Sequence, residues 1–157
     1  MQKITPFLWF DTHAEEAANF YVAIFPNSRV GQISRYGEGA PMPAGTVLTV
    51  GFELDGQAFT ALNGGPTFKF NEAISFVVRC KDQAEVDHYW TSLTADGGRE
   101  VQCGWLTDRF GVSWQIVPDR LLEFLDHPDE AVRQRVFGAM MQMVKLDIAR
   151  LEAAAKG

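Results

Sequence analysis

Histidine and cysteine are the residue types in this sequence best suited to nucleophilic, acid–base or metal chemistry, and there are three of the first and two of the second. No two of the histidines share the i, i+4 spacing that brings two ligands to one helix face. We therefore expect surface or capping roles for His13, His88 and His127. Cys103 has no neighbour in sequence that would activate it and is expected to be a buried, inert thiol, whereas Cys80 lies at a strand end, where we expect it to be exposed, and has no evident base partner.

An acidic and a basic residue, Asp108 and Arg109, lie in the predicted turn of a β-hairpin that spans Gly104–Pro118. An aspartate bonds readily to its own backbone and Gly111 can take a positive φ, which explains why a turn forms here. Pro118 ends the second arm because proline has no N–H for the ladder. The pair could hold a ligand carboxylate, but a structural role in the turn is the favoured interpretation.

The register of this hairpin decides which aromatic side chains share a face. Pairing Thr107 with Val112 places Trp105 opposite Trp114, as a cross-strand aromatic pair. Alternation then predicts that Trp9, Trp105 and Trp114 all point towards helices, away from any binding face.

The other elements follow from hydrophobic periodicity. A helix should begin after Asp11 or Thr12, with Thr12 and Glu15 forming a capping box. One long helix is predicted over about 128–155, because apolar residues recur there at helical spacing. A second helix is predicted over Asp82–Leu93. The predicted strands are Phe7–Phe10, Val30–Tyr36, Thr46–Leu54, Gln57–Leu62, Ala73–Cys80, Val101–Leu106 and Val112–Val117.

The chain also contains a degenerate internal repeat. When Phe7 is placed on Phe76, the pair Phe20-Tyr21 falls on Tyr89-Trp90, and both halves show a strand, a helix and then a hairpin. A single Rossmann-type domain would instead alternate strands and helices, with a glycine-rich turn after its first strand. The first turn here, Asp11-Thr12-His13, has no glycine.

Several stretches of the chain resemble the vicinal oxygen chelate superfamily, which has the glyoxalase and bleomycin-resistance fold. More narrowly, the chain resembles the PhnB-like group, also labelled demethylubiquinone methyltransferase-like. The resembling stretches are Pro6–Phe10, Ala61–Pro66, Phe68–Asn71, Ser75–Val78, Val86–Trp90, Cys103–Trp105, Asp108–Pro118 and Ala139–Met143.

This resemblance implies an α+β fold of two tandem β-α-β-β-β units that form a half-open curled sheet around a central cavity, in a homodimer. Unit one would span about 3–65 and unit two about 73–118, followed by the long C-terminal helix. The methyltransferase label has no support from the residues, since no Gly-x-Gly turn joins a strand to a helix. Gly37-x-Gly39 lies in a predicted loop without that context.

Metal-dependent members of the superfamily take one ligand from the first strand and one from the last strand of each unit. The corresponding positions here are Pro6, Thr60, Ser75 and Gln115. Proline offers no side-chain donor atom, and hydroxyl and neutral amide groups are poor ligands for a transition metal. We therefore predict no metal and no other cofactor, and no catalytic residue is assigned.

What remains is a metal-free cavity whose inner wall, by strand alternation, is mostly apolar with a few polar groups. We expect a small, partly apolar ligand there, with Gln115, Ser75 and Arg79 fixing its polar end; alternatively, these residues only satisfy one another. Phe68 and Phe70 would cover either the cavity or a dimer partner. The predicted wall consists of Leu8, Phe10, Thr60, Leu62, Ser75, Val77, Arg79, Ser113 and Gln115.

Composition limits the partners and the location. The net charge of −6, with no cluster of basic residues, argues against nucleic acid and anionic membranes. The apolar runs are too short to span a bilayer. Two cysteines without a signal peptide fit the cytoplasm.

Three classes of function remain open from the sequence. The leading prediction is a metal-independent small-molecule-binding protein of the glyoxalase/bleomycin-resistance type. The alternative is an enzyme on the same scaffold, of lyase, isomerase or dioxygenase type, and a structural interaction module with a filled cavity is the third. We also expect a homodimer in sedimentation experiments, weakened by removal of Phe137–Gly157.

Overall fold

The computed structural model describes residues 2–157, which divide into two compact units, the first ending at Phe70 and the second beginning at Asn71. Each unit contains a strand, a helix and three further strands, and each has an unclosed four-stranded sheet. This confirms the predicted α+β fold of tandem β-α-β-β-β units.

The first unit builds its sheet in the order β1-β4-β3-β2, with β1 parallel to β4 and the other pairs antiparallel. Asp55 and Gly56 join β3 to β4 with φ values of 48° and 82°, the positive angles that a two-residue hairpin turn requires. The elements are β1 Phe7–Phe10, α1 Ala14–Ile24, β2 Arg29–Arg35, β3 Val47–Leu54 and β4 Gln57–Asn63.

Helix α1 covers one face of this sheet through aromatic packing. Tyr21 stacks on Phe52 with ring centroids 6.0 Å apart, and Phe52 stacks on Phe59 at 5.2 Å. We call the face that carries Phe52 and Phe59 the covered face of unit one, and the opposite face its open face. The open face carries the candidate site described below.

The predicted capping box at the start of α1 is wrong. The helix begins after His13, which makes no side-chain cap bond. The acceptor comes from the end of β4 instead, because the Oδ1 atom of buried Asn63 accepts a hydrogen bond of 2.8 Å from the backbone N–H of Ala14. A residue distant in sequence therefore satisfies the first free N–H of the helix.

Strand β1 presents its side chains to the opposite faces from those predicted. Leu8 pairs with Ala61 and Phe10 pairs with Asn63, and paired residues share a face. Leu8 and Phe10 therefore lie on the covered face, where they are only 7% and 3% exposed. Their predicted place beside Thr60 and Leu62 in the cavity wall is wrong. Trp9, predicted to face helices, lies on the open face.

The second unit repeats the plan and then adds three helices. Its sheet has the order β5-β8-β7-β6, with β5 parallel to β8 and a single turn of 3-10 helix at Ala95–Gly97. The elements are β5 Ser75–Cys80, α2 Gln83–Thr94, β6 Arg99–Glu100, β7 Trp105–Thr107, β8 Ser113–Pro118, α3 Asp119–Leu125, α4 Glu130–Met140 and α5 Ile148–Lys156.

The predicted hairpin between β7 and β8 forms, but its register differs by one residue. Asp108 pairs with Val112 through an N–H to carbonyl bond of 2.9 Å, so that Arg109–Gly111 alone form the loop. Gly111 takes a φ of 94°, which is typical of a three-residue loop that ends in a bulge. Trp105 therefore faces Gln115 rather than Trp114, and its predicted helix-facing position is wrong.

The single long helix predicted over 128–155 is also wrong, because the chain bends between Met140 and Ile148. Backbone carbonyls in the bend accept bonds from another part of the unit: Cys103 N–H donates to Met143 and Gly104 N–H to Val144, both at 2.8 Å. Cys103 and Gly104 form a turn before β7. Strand β7 is therefore shorter than the strand predicted from Val101. Helix α3 was not predicted.

Helix α2 holds the bend on its other side. Gln83 donates to the carbonyl of Leu146 at 3.1 Å and accepts from the N–H of Ile148 at 2.8 Å. Lys145 forms an ion pair of 2.7 Å with Asp87, and its hydrogen bond lowers the pKa of that exposed carboxyl. The three added helices are thereby tied to the rest of unit two, around a buried cluster of Val117, Leu121, Phe124, Val132, Val136, Met143, Leu146 and Leu151.

The burial of the two thiols is the reverse of that expected from the sequence. Cys80 is fully buried, and desolvation together with the negative charges of Glu85 and Asp119 raises its pKa to about 12. A thiol in that environment stays protonated and unreactive at neutral pH. Cys103 is partly exposed, with its Sγ 3.8 Å from the Sδ of Met141.

Within residues 2–157, none of the helices combines the length and apolar character needed to cross a bilayer.

Candidate functional site

The open face of unit one carries a row of small side chains across the strands. Phe7 on β1 pairs with Thr60 on β4, and Thr60 pairs with Gly51 on β3. Gly31 on β2 continues the row, since a Cβ atom built on it would lie 3.4 Å from the carbonyl oxygen of Gly51. Side-chain bulk therefore falls from a phenyl ring at one edge to bare backbone at the other.

Larger side chains flank this row on both sides. One flank contains Glu53 and Arg29, whose carboxylate and guanidinium form two bonds of 3.3 Å. The other contains Leu62 and Thr49, which pair with each other, and the Thr49 hydroxyl bonds to the hydroxyl of Ser34. The low row between two higher rows is a groove that crosses the sheet.

A pocket of about 370 Å³ lies on the part of this face between the glycines and the Glu53–Arg29 flank. A volume of that size lies in the range of small-ligand sites, which are typically apolar with a few placed polar groups. Its lining includes Thr5, Arg29, Gly31, Gly51, Glu53 and Thr60. We call it the glycine groove. Of its lining residues, only Thr60 belongs to the wall predicted from the sequence.

The two glycines are not required by the backbone dihedral angles. Neither Gly31 nor Gly51 is among the residues with positive φ. A Cβ atom on Gly51 would lie 3.6 Å from the nearest atom, the carbonyl oxygen of Gln32, which is ordinary contact. A single Cβ atom would therefore fit at Gly51, whereas Gly31 lies within the irregular register between Val30 and Ile33, where the two backbones approach closely.

Aromatic side chains lie at the β1 edge of the open face, outside the lining of the groove. Phe7 is 59% exposed, and Phe68 is 62% exposed while its ring meets the edge of Trp9 at 4.9 Å. Phe70 behaves differently, because its ring contacts Phe10, which lies on the covered face, at 5.1 Å. Phe68 and Phe70, for which the sequence gives the same prediction, therefore lie on opposite sides of the sheet.

In unit two, the register places Ser75, Val77 and Arg79 on the same face as Ser113 and Gln115, in agreement with the predicted alternation. The amide nitrogen of Gln115 donates to the hydroxyl of Ser75 at 2.9 Å.

The third polar residue of that predicted set, Arg79, is directed elsewhere. Its Nε lies 2.9 Å from a carboxylate oxygen of Asp119 at the start of α3. Of the polar residues on this face, Ser75 and Gln115 thus bond to one another, and Arg79 bonds to α3.

The four predicted ligand positions carry weak side-chain donors or none. Thr60 donates its N–H to the carbonyl of Pro6 at 3.0 Å, and Gln115 is bonded to Ser75. Over the described residues 2–157, no group of three or more His, Cys, Asp or Glu side chains converges as a metal would require. This donor set does not fit a divalent transition metal.

The remaining candidates have local roles. His13 pairs with Glu16 at 3.0 Å, and the ring of His127 accepts the N–H of Asp129 at 3.0 Å. The ring of His88 meets the adjacent Tyr89 ring at 4.9 Å.

Asp108 acts within the hairpin turn, as the favoured interpretation predicted. Its buried carboxylate accepts bonds from the N–H groups of Phe110 and Val112 and from the indole of Trp114. The Arg109 guanidinium lies over the Phe110 ring at 4.7 Å.

Comparison with known proteins begins with a family model described as 3-demethylubiquinone-9 3-methyltransferase, which matches residues 2–117. The chain is 38% identical to the putative 3-demethylubiquinone-9 3-methyltransferase, PhnB protein, of Bacillus cereus, with a TM-score of 0.68. That alignment covers 99% of the Bacillus chain and 74% of this one. None of the curated proteins matches.

More distant solved structures share the fold. The fosfomycin resistance protein FosX of Mesorhizobium loti is 11% identical over 74% of this chain and 92% of its own, with a TM-score of 0.54. FosX of Listeria monocytogenes, solved with Mn(II) and sulfate, is 15% identical over 75% of this chain and 91% of its own, with a TM-score of 0.52. The chain therefore belongs to the PhnB-like family described as 3-demethylubiquinone-9 3-methyltransferase, and its fold is that of the glyoxalase-type vicinal oxygen chelate proteins.

Proposed function

We propose that this protein is a metal-independent small-molecule-binding protein of the glyoxalase/bleomycin-resistance type. The observation that carries this proposal is the glycine groove, a depression of about 370 Å³ on a sheet face that α1 leaves uncovered. Its lining offers backbone at Gly31 and Gly51, the threonines Thr5 and Thr60, and the Arg29–Glu53 pair. Such a mixture suits a small, partly apolar ligand.

Metal independence is supported by the chemistry of the donors. The side chains at the superfamily's ligand positions are a proline, two hydroxyl groups and an amide, and the Ser75 hydroxyl is engaged with the Gln115 amide. None of them is a strong ligand for zinc, iron or manganese. Binding by surface complementarity and hydrogen bonds is therefore the favoured mode.

The methyltransferase description of the family does not change this proposal. A nucleotide cofactor of the Rossmann kind rests on a glycine-rich turn between a strand and a helix. In this chain β1 is joined to α1 by Asp11-Thr12-His13, and β5 is joined to α2 by Lys81-Asp82. We therefore propose ligand binding rather than methyl transfer as the activity.

The test is a thermal-shift screen of a small-molecule library. Ligands at a hundredfold excess over Kd should stabilise the protein by about 2.7 kcal/mol, which raises Tm by several degrees. Gly51→Val fills the groove and should weaken the hits at least about tenfold, because a bulky side chain in a binding surface forces displacement. Gly138→Ala, on α4 with open space around it, is the matched control.

Each arm of this screen has an outcome that contradicts the proposal. Hits that bind Gly51→Val and wild-type protein with equal affinity would show that the groove is not the binding site. A chelator should leave binding unchanged, whereas one stoichiometric zinc, iron or manganese ion in the purified protein would overturn metal independence. A complete absence of hits would favour a purely structural role.

We also propose that the protein is a homodimer. Phe137 on α4 and Met141 just after it are 50% and 47% exposed, and a second copy could cover them. Removing 137–157 would expose the core of unit two, since Leu146 and Leu151 are fully buried. The cleaner test is sedimentation of the double variant Phe137→Gln/Met141→Gln, which should dissociate at micromolar concentration. A wild-type monomer at that concentration would contradict the proposal.

The free cysteines and the net charge bear on where the protein is located and what it binds. The cysteines Cys80 and Cys103 are both free, which is consistent with a reducing compartment, and we propose the cytoplasm. The net charge of −6 disfavours nucleic acid and anionic membranes as partners.

A further inference from the structure

We infer that Cys103 and Met141 form a binding site for a soft monovalent metal ion, copper(I), beside the bend that follows α4. The site shares no residue with the glycine groove and lies wholly within unit two. The observation that carries it is the convergence of two sulfur atoms from distant parts of the sequence, because the Sγ of Cys103 lies 3.8 Å from the Sδ of Met141.

The backbone fixes Cys103 beside the bend. Its N–H donates to the carbonyl of Met143, and the N–H of Gly104 donates to the carbonyl of Val144, both at 2.8 Å. Gly104 also lies so close to the bend that a Cβ atom on it would come within 2.9 Å of the Leu146 side chain. Two backbone bonds and this close approach therefore hold the thiol next to the thioether.

The separation of the two sulfur atoms suits a shared metal ion. Metal–sulfur bonds are about 2.3 Å long, and two such bonds to atoms 3.8 Å apart meet at an angle of about 110°. That angle is close to the tetrahedral value, so an ion between the two atoms gains both bonds without displacing either residue. Its other coordination positions are open to solvent, since Cys103 is partly exposed and Met141 is 47% exposed.

The donor atoms select copper(I) over harder ions. Thiolate and thioether sulfur are soft ligands that favour copper(I), whereas oxygen ligands favour magnesium, calcium and manganese. Over residues 2–157, no three His, Cys, Asp or Glu side chains converge, so zinc finds no closed set of its usual ligands at this pair. One thiolate also neutralises a monovalent ion, whereas a divalent ion would leave a net positive charge in the site.

Met141 is the methionine of this bend that an ion from solvent can reach. Three of the five methionines of the chain lie here, at Met140, Met141 and Met143. Met143 belongs to the buried cluster of unit two, and Met140 packs against that cluster. These two therefore serve the core, and Met141 supplies the thioether of the pair.

The chemistry of binding is an exchange of a proton for the metal ion. The S–H bond of Cys103 breaks, a bond between sulfur and copper forms, and the proton passes to the solvent. The thioether of Met141 adds a second bond with no proton to lose. Copper keeps its oxidation state throughout, so no oxidant or reductant takes part.

Titration of the full chain with metal ions tests the inference. Calorimetry with silver(I), a redox-stable analogue, and anaerobic competition with bicinchoninate for copper(I) should both give one ion per chain, with one proton released. Cys103→Ser should abolish binding. Met141→Leu, which conserves volume, should weaken it at least about tenfold because one of two soft ligands is lost. Met42→Leu, in the loop between β2 and β3, is the matched control and should change nothing.

NMR of methyl-labelled methionine gives an independent readout. The Met141 methyl signal should shift on addition of silver(I), whereas the Met42 signal should not. Binding that survives Cys103→Ser would overturn the site. Equal affinity in Met141→Leu and wild-type protein, with an unshifted Met141 signal, would show a single reactive thiol and refute the pair.

A further variant separates this site from the proposed dimer, because Met141 belongs to both. Phe137→Gln keeps both sulfur atoms while removing an exposed apolar ring from the dimer surface. It should bind silver(I) with unchanged affinity whatever its state of assembly. A loss of affinity in Phe137→Gln would mean that a second copy completes the site, and would refute a site formed within one chain.

Discussion

Asp108→Ala is expected to lower the free energy of unfolding by about 3 kcal/mol, because it leaves buried donors without an acceptor. The carboxylate accepts three bonds of 2.9–3.0 Å, from Phe110, Val112 and the indole of Trp114. Water cannot replace the carboxylate readily, since Val112 and Trp114 are themselves buried. Urea denaturation, followed by tryptophan fluorescence, measures the effect.

Two further variants make this prediction specific. Asp108→Asn keeps an oxygen for the backbone donors but turns an amide N–H₂ towards the indole, so its loss should be intermediate, about 1 to 2 kcal/mol. Asp11→Ala changes an exposed residue and should have an effect within about 0.5 kcal/mol. An unchanged unfolding midpoint for Asp108→Ala would show that the turn does not depend on these bonds.

The same residue explains why the hairpin was predicted but its register was not. The turn composition from Asp108 to Gly111 fits a four-residue loop and a three-residue loop with a bulge equally well. The choice depends on whether Asp108 pairs with Val112, and a shift of one residue moves every side chain of the strand to the other face. Because of this shift, Trp105 lies on the same face as Gln115.

Strand faces could be predicted where polar residues mark one side. In β5 and β8, Ser75, Ser113 and Gln115 alternate with apolar residues, and the predicted face of unit two agrees with the register. In β1 the sequence Phe7–Phe10 is apolar throughout. Periodicity carries no information about the faces of such a strand, and the pairing with β4 decides them.

The C-terminal bend and the glycine groove were missed for a related reason. The apolar stripe of α4 stays in phase into α5, so periodicity continues through a bend that bonds from Cys103 and Gly104 fix from outside. The groove requires Gly31 and Gly51 to be neighbours, and their proximity depends on an irregular register between β2 and β3. Isolated glycines inside two predicted strands were the only signal in the sequence.

Asn63→Ala is expected to lower the free energy of unfolding by about 2 kcal/mol, because one buried amide supports two distant elements. Its oxygen accepts the N–H of Ala14 at 2.8 Å, and its nitrogen donates to the carbonyl of Val47 at 3.1 Å. Alanine would leave the Ala14 N–H in the first turn of α1 and the Val47 carbonyl at the start of β3 each without this hydrogen-bond partner. Urea denaturation gives the global loss, and hydrogen exchange at the Ala14 amide reports the local one.

Asn19→Ala is the matched control, because Asn19 is an exposed asparagine on α1 that bonds to the carbonyl of Glu15 in its own helix. We expect it to change stability by less than about 0.5 kcal/mol. Asn63→Asp keeps the acceptor for Ala14 but sets a carboxylate against the Val47 carbonyl, so it should protect the Ala14 amide while still destabilising the protein. Equal exchange rates at Ala14 in wild-type protein and in Asn63→Ala would mean that α1 does not need this bond, and that its start is fixed instead by the packing of Tyr21 on Phe52.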